Sequence, residues 1–380
     1  MFVNKLRSCL MGIVAVVSPI WAGTAAAEWG LNMTRGVTPI SREVYDLHML
    51  ILWIVTIIGI GVFGVIFWSI YHHRKSKGVV PAKFHHSTVA EITWTIIPIF
   101  ILVGMAIPAT KTLIMMEQTA DADITVKITG HQWKWKYDYL NEGLSFFSVL
   151  DQASNDARQL GSNIDPRTVE HYLLNVDKPV VLPVNKKIRL LTTGNDVIHA
   201  WWVPALGWKR DAIPGFINDN WAIINEPGTY RGQCAELCGK DHGFMPIVVE
   251  AVPEEQYLAW VEKMQQEQAL AAAGSDREWA KDELMEKGKL VYDTFCAVCH
   301  QATGKGVPGA FPALDGGVIT TGPVSGHIDR VMHGKQGTAM AAFGPQMNDA
   351  DLAAVITYER NSWGNKTGDV VQPRDIKAAR

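Results

Sequence analysis

Two long apolar runs, at residues 47–71 and 92–116, constrain the fold of this 380-residue chain most strongly. Each is long enough to cross a bilayer as a helix, and a proline inside a membrane helix is tolerated where neighbouring groups satisfy the backbone. The second run contains Pro98 and Pro108. Two buried core helices are the alternative, which the length of the runs disfavours.

The segment between the two runs is basic, with His72, His73, Arg74, Lys75, Lys77 and Lys83. The positive-inside rule places such a segment in the cytoplasm. Both ends of the mature chain are therefore predicted to face the periplasm or the cell exterior.

The first 27 residues have the three parts of a secretory signal. Lys5 and Arg7 precede an apolar run at residues 10–22, which is followed by three alanines. We predict a signal peptide at residues 1–27 with cleavage after Ala27, then a periplasmic N-terminal segment at 28–46 and a transmembrane helical hairpin at 47–118. An uncleaved membrane anchor is the alternative to cleavage.

Length, charge and cysteine positions limit the remaining possibilities. A chain of 380 residues is too long for one core, so two or three domains are expected. The net charge of −3 gives no general attraction to nucleic acid. Four of the five cysteines form two close pairs, at 234/238 and 296/299, which indicates cofactor chemistry rather than a disulfide framework.

The polar part of the chain has a strand pattern. Residues 124–129 alternate between apolar and polar, and strand-like runs recur at 180–182, 188–191, 221–224 and 247–249 between proline and glycine turns. This pattern predicts a Greek-key sandwich at residues 119–253. The segment at 141–166 is predicted to be an irregular surface insertion.

A stretch at residues 232–246 holds Cys234, Cys238, His242 and Met245. Thiolate and thioether sulfur select copper or zinc over hard cations, and imidazole suits the same metals. Glycines and a proline in the stretch favour a loop. The alternatives are a zinc site, for which a thioether is an unusual ligand, a disulfide between Cys234 and Cys238, and simple core packing of Met245.

Two further stretches lie upstream. His199 follows a strand-like run at residues 187–193, and residues 130–135 read GHQWKW. A lone histidine in apolar surroundings is usually a core residue. With the stretch at 232–246, however, these segments resemble subunit II of a cytochrome c oxidase in its cupredoxin-like dinuclear copper (CuA) domain.

The resemblance implies that Cys234 and Cys238 bridge two coppers. The implied CuA ligands are His199, Cys234, Glu236 through its backbone carbonyl, Cys238, His242 and Met245. The carboxylate of Glu236 would help to bind magnesium at the boundary with subunit I, since hard oxygen ligands suit that ion. A plain surface carboxylate is the alternative for Glu236.

The resemblance assigns roles to other positions. Trp133 matches an exposed tryptophan through which electrons reach the copper, whereas Trp135 is predicted to be a core aromatic. Glu91 matches the acidic residue at the mouth of a proton path into subunit I, although it also suits a helix N-terminus. Asp211 matches the family pattern, but Phe216 stands where many members carry arginine.

Beyond the sandwich, residues 254–273 have the spacing of an amphipathic helix, and residues 271–275 read as a linker. Cys296-Ala297-Val298-Cys299-His300 is a C-x-x-C-H motif, which predicts haem c attached through both thiols with His300 as proximal ligand. A redox-active C-x-x-C pair is the alternative.

The same region resembles small bacterial cytochromes c. Met340, in a loop before a helix at residues 349–361, is the predicted distal ligand, with Met347 and Met332 as alternatives. Pro312 would offer its carbonyl to His300 and fix the orientation of the imidazole.

The chain is thus predicted to be a multidomain membrane protein with a two-helix transmembrane hairpin, an all-β cupredoxin-like Greek-key sandwich and an all-α class I cytochrome c domain. The predicted bounds after the sandwich are helix and linker at 254–282, cytochrome c domain at 283–365 and polar tail at 366–380.

The resemblance implies the subunit through which electrons enter a haem–copper cytochrome c oxidase of the bacterial inner membrane. Electrons would pass from cytochrome c or another periplasmic donor, through covalently bound haem c and CuA, to the oxygen-reducing site of subunit I, coupled to proton translocation. Subunits I and III and the lipid bilayer are the implied partners, with no nucleic acid. A CuA-containing subunit of a nitric oxide reductase-type complex and a non-enzymatic copper carrier are the alternatives.

Overall fold

The computed structural model describes residues 32–80, 83, 85–159, 161–274 and 277–380. The predicted signal peptide, its cleavage after Ala27 and part of the predicted linker lie outside these residues. The described residues belong to two compact units. The first unit is made of two chain segments, the residues up to Met115 and Pro204–Trp208. The second unit contains Met116–Val203 and Lys209–Arg380.

The first unit contains two long apolar helices, α1 (Pro39–His72) and α2 (Thr88–Met116), with a 3₁₀ turn at Lys75–Lys77 between them. Both are long and apolar enough to cross a membrane, and their apolar side chains are mostly exposed within the unit. α2 continues through Pro98 and Pro108. This agrees with the predicted pair of membrane helices.

A reciprocal cap fixes the start of α1. The amide of Ser41 donates to Thr38 Oγ1 and the amide of Thr38 donates to Ser41 Oγ, each at 3.0 Å. The hydroxyl of Thr38 donates in turn to the carbonyl of Leu206 at 2.9 Å. A Cβ at Gly207, whose φ is +86°, would lie 2.4 Å from Ser41 Cα, so the close approach of this segment to α1 requires glycine.

The second unit begins with a sandwich of two five-stranded sheets. The strands are β1 (Ile124–His131), β2 (Lys134–Tyr139), β3 (Leu144–Ser148), β4 (Val180–Pro183), β5 (Ile188–Gly194), β6 (His199–Val203), β7 (Trp208–Ala212), β8 (Asn218–Ala222), β9 (Gly228–Cys234) and β10 (Pro246–Val252). The sheet orders are β3-β2-β1-β5-β8 and β4-β10-β9-β6-β7. β1 pairs in parallel with β5, and β4 with β10. The chain therefore crosses between the sheets, and the predicted two-sheet cupredoxin-like sandwich is confirmed.

Aromatic side chains fill the space between the sheets. Trp135, Tyr137 and Trp201 have no exposed surface. Trp201 Nε1 donates to Tyr137 Oη at 3.3 Å, which satisfies a buried polar group of each ring. Trp135 is thus a core aromatic, as predicted.

The segment at 141–166 differs from its prediction as an irregular insertion. It contains β3 and a short helix α3 (Gln152–Ala157). Leu144, Phe146 and Ser148 point inward in alternation along β3, and Asp151 caps α3 by accepting from the amide of Ser154 at 3.2 Å. A five-residue alternation beside a six-residue helix is too short to stand out in the sequence.

The C-terminal part is helical. Its helices are α4 (Glu254–Ala273), α5 (Lys281–Phe295), α6 (Ala297–His300), α7 (Val318–Thr321), α8 (Val324–His333), α9 (Asp349–Asn361) and α10 (Pro373–Ala379). α5 and α9 cross at Gly288, where a Cβ would lie 2.1 Å from the carbonyl oxygen of Ala354. Leu284, Tyr292 and Leu352 are fully buried in the core at this crossing.

Residues 366–380, predicted to be a polar tail, contain α10 and apolar side chains that are buried. Val371 is 2% exposed and Ile376 is fully buried in the same core as Leu352. Arg360 Nε donates to Asp369 at 2.9 Å and anchors the connection to α10. Val371 and Ile376 lie five residues apart in a polar stretch and give no periodic pattern, although burying them stabilises the segment.

Candidate copper centre and haem pocket

Two buried thiols form the centre of the first site. Cys234 ends β9, Cys238 lies in the following loop, and each is 3% exposed. Their Sγ atoms are 3.8 Å apart, nearly twice the ~2.05 Å of a disulfide bond. Both cysteines are free, so the two sulfurs face each other across a gap that suits shared metal ligands.

Each thiol has its own imidazole. His199 Nδ1 is 4.0 Å from Cys234 Sγ, and His242 Nδ1 is 3.5 Å from Cys238 Sγ. Met245 Sδ lies 3.5 Å from Cys238 Sγ. The structure therefore brings together the five side chains that the sequence singled out.

The sandwich explains this convergence. His199 begins β6, which pairs with β9 beside Cys234, and the amide of Ala235 donates to the carbonyl of Ala200 at 3.0 Å. The amide of Cys234 donates to the carbonyl of Met245 at 3.3 Å, closing the loop. Backbone pairing between neighbouring strands thus places ligands distant in sequence side by side.

A carboxylate that the sequence analysis did not single out orients His199. Asp196 Oδ1 lies 2.9 Å from His199 Nε2, which leaves Nδ1 facing Cys234. Burial alone would lower the pKa of His199, but its hydrogen bonds with Asp196 and Cys234 raise it above the usual value. A carboxylate on the far nitrogen of a ligating histidine is a recurring support in metal sites.

The pKa values of the two thiols are shifted in opposite directions. The hydrogen bond from Cys238, aided by His199, lowers the pKa of Cys234 despite its burial. The same hydrogen bond and burial raise the pKa of Cys238 well above its usual value. Cys234 therefore loses its proton more readily than Cys238, and a metal that binds both sulfurs as thiolates competes with their protons.

The carbonyl of Cys238 accepts two hydrogen bonds. Gln132 Nε2 donates to it at 2.8 Å and Trp133 Nε1 at 3.2 Å. Trp133 is half-buried rather than exposed, and it lines a large cavity. The indole thus connects that cavity to the backbone of a candidate copper ligand.

The cavity has a volume of about 760 Å³ and contains the C-x-x-C-H motif. Cys296, Cys299 and His300 line it, and His300 Nδ1 donates to the carbonyl of Pro312 at 2.8 Å, the contact that the sequence predicts. Met340 and Met347 both line the cavity, with Met340 half-buried and Met347 8% exposed. The choice between these two candidate distal ligands stays a prediction, whereas Met332 packs in the core.

The chemistry of the cavity wall fits a haem. Apart from the thiols and the imidazole of His300, four buried polar atoms of lining residues have no partner among the described residues: His131 Nε2, His327 Nδ1, Arg330 Nε and Gln346 Oε1. Buried polar atoms without a partner are rare in finished structures, and they indicate a bound group that carries its own polar atoms.

The remaining predicted residues are more peripheral. The side chain of Glu236 is exposed, while its carbonyl oxygen lies 3.4 Å from Cys234 Sγ. Glu91 lies in the first turn of α2, and Phe216 is 57% exposed. Asp211 contributes its carbonyl, which accepts from Asn218 Nδ2 at 2.7 Å.

Several charged groups on the cavity wall, among them Lys134 and Arg158, were not predicted from the sequence. Lys134 is buried against aromatic rings, and Arg158 pairs with Asp241 at 3.2 Å over the ring of Phe244. The position of Lys134 directly after Trp133 is the one local signal. Arg158 lies in the segment predicted to be irregular, where nothing in the sequence marks it.

The fold and the two sites define a membrane-anchored cupredoxin-like protein with a fused cytochrome c domain. Three family profiles match the chain: the periplasmic domain of cytochrome c oxidase subunit II at residues 124–252, its transmembrane domain at 26–112, and subunit III of cbb3-type cytochrome c oxidase at 283–358.

Individual relatives agree with these profiles. A protein of Rickettsia bellii named "Probable cytochrome c oxidase subunit 2" is 37% identical over 262 residues, 69% of this chain and 93% of that protein. Cytochrome c oxidase subunit 2 of Cereibacter sphaeroides is 37% identical over 242 residues, 62% of this chain and 80% of that protein. The crystal structure of the periplasmic domain of subunit II (CoxB) of Bradyrhizobium japonicum is 41% identical and covers 40% of this chain and 99% of that one, with a TM-score of 0.35.

The chain belongs to the cytochrome c oxidase subunit 2 family. It is a subunit of an oxidase complex with two membrane helices, a cupredoxin-like domain and a C-terminal cytochrome c domain.

Proposed function

We propose that this subunit receives electrons on covalently attached haem c and passes them through a dinuclear CuA centre to the oxygen-reducing site of subunit I, coupled to proton translocation. The supporting observation is that one cavity contains both haem-attachment thiols and Trp133, whose indole donates to the carbonyl of Cys238. The donor is cytochrome c or another periplasmic protein, and the complex includes subunits I and III in the bacterial inner membrane.

The copper pair would be held by residues that lie together at one end of the sandwich. These are Cys234 and Cys238 with His199, His242, Met245 and the carbonyl of Glu236. When bound, two coppers that share two thiolates exchange one electron with little change in bond lengths. The chain excludes water, since His199, Cys234 and Met245 are 0–3% exposed. Asp196 fixes the orientation of the imidazole of His199 through a hydrogen bond.

In the candidate haem pocket, the chain supplies two thiols and an oriented imidazole, and its side chains line the cavity. Cys296 and Cys299 would attach the haem covalently, and His300, whose Nδ1 donates to the carbonyl of Pro312 at 2.8 Å, would ligate the iron. Met340 would supply the second iron ligand. A thioether opposite an imidazole favours the reduced iron and raises the reduction potential.

The burial of the sulfur ligands favours a permanent electron carrier over a copper carrier. An exchangeable site must let a partner's ligands reach the metal, yet both thiols and the thioether are at most 3% exposed. A copper carrier also has no use for a haem-attachment motif.

Two further assignments remain part of the proposal. Glu236 contributes a carboxylate to magnesium at the boundary with subunit I, so Glu236→Gln should lower the magnesium content while copper is retained. Glu91 opens a proton path, so Glu91→Gln should slow both turnover and proton uptake. Unchanged proton uptake in the Glu91 variant would remove that role.

The test of the whole proposal is spectroscopic. Purified complex should give the paramagnetic signal of a mixed-valence copper pair together with the optical spectrum of a low-spin haem c. Met340→Ala should abolish the signature of thioether ligation, whereas Met347→Ala, the matched variant on the same cavity wall, should keep it. Loss of that signature in the Met347 variant alone would reverse the assignment, and a missing copper signal in the parent protein would refute the CuA centre.

A further inference from the structure

A buried lysine joins the copper domain to the haem-attachment loop of the cytochrome domain. Lys134, on β2, is 7% exposed. Its Nζ lies 4.8 Å from the ring centroid of Phe147, 4.5 Å from that of Phe295 and 5.1 Å from that of Phe343. Phe147 belongs to β3, but Phe295 ends α5 and Phe343 follows α8. The aromatic cage therefore takes its rings from both domains.

A second lysine makes a matching contact. Lys240 lies in the copper loop between Cys238 and His242, and its Nζ donates to the carbonyl of Val298 at 3.1 Å. The same Nζ lies 5.7 Å from the ring centroid of Phe311. Val298 stands between the two haem-attachment cysteines. One ammonium thus lies on the Cys296 side of the motif and the other on the Cys299 side.

The burial of Lys134 has a physical cost that these contacts offset. Removing an ammonium from water is unfavourable unless other groups replace the solvent. Among the described residues, Lys134 has the faces of three rings as neighbours and no ion-pair partner. Burial accordingly lowers the pKa of Lys134 to about 8, which still leaves it mostly charged at neutral pH. Two of its three rings belong to the cytochrome domain, so this environment exists only when the domains are together.

We propose that Lys134 and Lys240 form an interdomain clasp that holds the cytochrome domain on the copper domain, with the C-x-x-C-H loop beside Trp133, and that the clasp holds the reduced cytochrome domain more tightly than the oxidised one. The inference rests on the proposed function, because it needs haem c in the cavity.

The preference for the reduced state follows from charge. A fixed positive charge near the haem favours the iron with one electron more, since that state is less positive. If docking raises the affinity of the haem for an electron, reduction must strengthen docking by the same factor. The domain then docks when it carries an electron, and it is held less firmly once that electron has moved to copper. Lys134 and Lys240 are positioning residues, and they do not contact the reacting atoms.

The test uses the purified holo complex with Lys134→Met, Lys240→Met and the double variant. Methionine keeps an unbranched chain and removes the charge. Lys136→Met is the control, because Lys136 lies two residues along the same strand but pairs with Asp138 at 3.0 Å within the copper domain. Lys134→Arg is the charge-retaining variant. The copper signal and the haem spectrum verify that each variant is folded and loaded.

Three readouts are expected to change together. Hydrogen exchange in β2 and in residues 296–300 should rise, corresponding to a docking constant lowered by roughly tenfold for the loss of a desolvated cation–π contact. The haem midpoint potential should fall, and haem-to-copper transfer should slow. Lys134→Arg should recover the potential at least in part, and Lys136→Met should match the parent protein.

Exchange and midpoint potential equal to those of the parent in both single variants would overturn the clasp. If Lys134→Met does not fold, the hydrogen exchange and the midpoint potential of Lys240→Met alone test the clasp. A parent protein without the copper signal or the haem spectrum would instead refute the proposed function, so the two failures are distinguishable.

Discussion

At the copper loop the polypeptide alone brings five donor side chains together, whereas at the haem pocket it fixes one ligand and leaves a cavity of about 760 Å³. The candidate copper ligands are placed by strands β6 and β9 and by a loop closed with backbone hydrogen bonds. The haem pocket is a gap between helices and loops from two domains. A small ion can be held by donors preset on a sheet, while a large cofactor must itself form part of the core.

The hydrogen-bond partners of His199 and His300 show the same contrast between the two sites. Asp196 lies 2.9 Å from the far nitrogen of His199, and the carbonyl of Pro312 lies 2.8 Å from that of His300. On the other side of its site, His199 already faces a thiol, but His300 faces the cavity. Loss of cofactor should therefore disturb the cytochrome domain much more than the sandwich.

The largest effects are expected from removing one thiol at each site. Cys238→Ser should abolish the copper signal and oxidase turnover and leave the haem spectrum intact, because the haem thiols lie in another domain. Cys299→Ser should disrupt covalent haem attachment and loosen the cytochrome domain while the copper signal persists. Metal analysis, paramagnetic spectra and circular dichroism measure these outcomes. Loss of copper in the Cys299 variant would contradict the independence of the two sites.

A core substitution should come next in magnitude. Leu352→Ala removes a fully buried side chain at the crossing of α5 and α9, which should destabilise the cytochrome domain by about 2–5 kcal/mol. Leu290→Ala, on the exposed face of α5, is the matched control and should change stability by less than about 0.5 kcal/mol. Denaturant unfolding followed by haem absorbance measures both, and equal effects would show that this core has been misplaced.

A smaller effect is expected from the group that orients His199. Asp196→Asn should weaken copper binding by about 10–100-fold, the usual range when the partner of a ligating histidine is lost. Competition with a copper chelator measures it. Asp138→Asn, a carboxylate paired with Lys136 on the same sheet, should leave copper affinity unchanged. An unaltered affinity in the Asp196 variant would mean that the chain holds the imidazole without it.

The smallest predicted effect is a pH dependence confined to the sandwich. Burial, with Lys134 nearby, lowers the pKa of His131 from 6.5 to about 4, so the folded state binds fewer protons than the unfolded state between these values. The contribution of neutral His131 to the free energy of unfolding should be present above pH 6.5 and should be lost as the pH drops toward 4. At pH 6 the loss should be about 1 kcal/mol. His131→Phe should reduce this slope. If the free energy of unfolding depends on pH with the same slope in the variant and the parent, His131 is not the source of this pH dependence.

Local patterns account for what could be predicted. The copper loop and the C-x-x-C-H motif hold their chemistry within 15 and five consecutive residues, so spacing alone identifies them. The two membrane helices follow from uninterrupted apolar runs, and the sandwich follows from alternation in β1 and β5.

Tertiary contacts account for what could not be predicted. Asp196 matters only because a turn brings it against His199, and Lys134 only because rings from another domain surround it. Val371 and Ile376 gave no signal in a polar stretch, yet both are buried. The half-buried position of Trp133, against the loop of Cys238 and beside the cavity, is a tertiary feature that no local pattern reveals.

Under the proposed function, haem c and CuA exchange electrons within one chain. The most direct measurement is rapid photoreduction of the haem in the purified complex, followed optically as the electron moves to copper. We expect a first-order transfer whose rate does not change with protein concentration. A rate that rises in proportion to concentration, or a haem that stays reduced while copper stays oxidised, would contradict it.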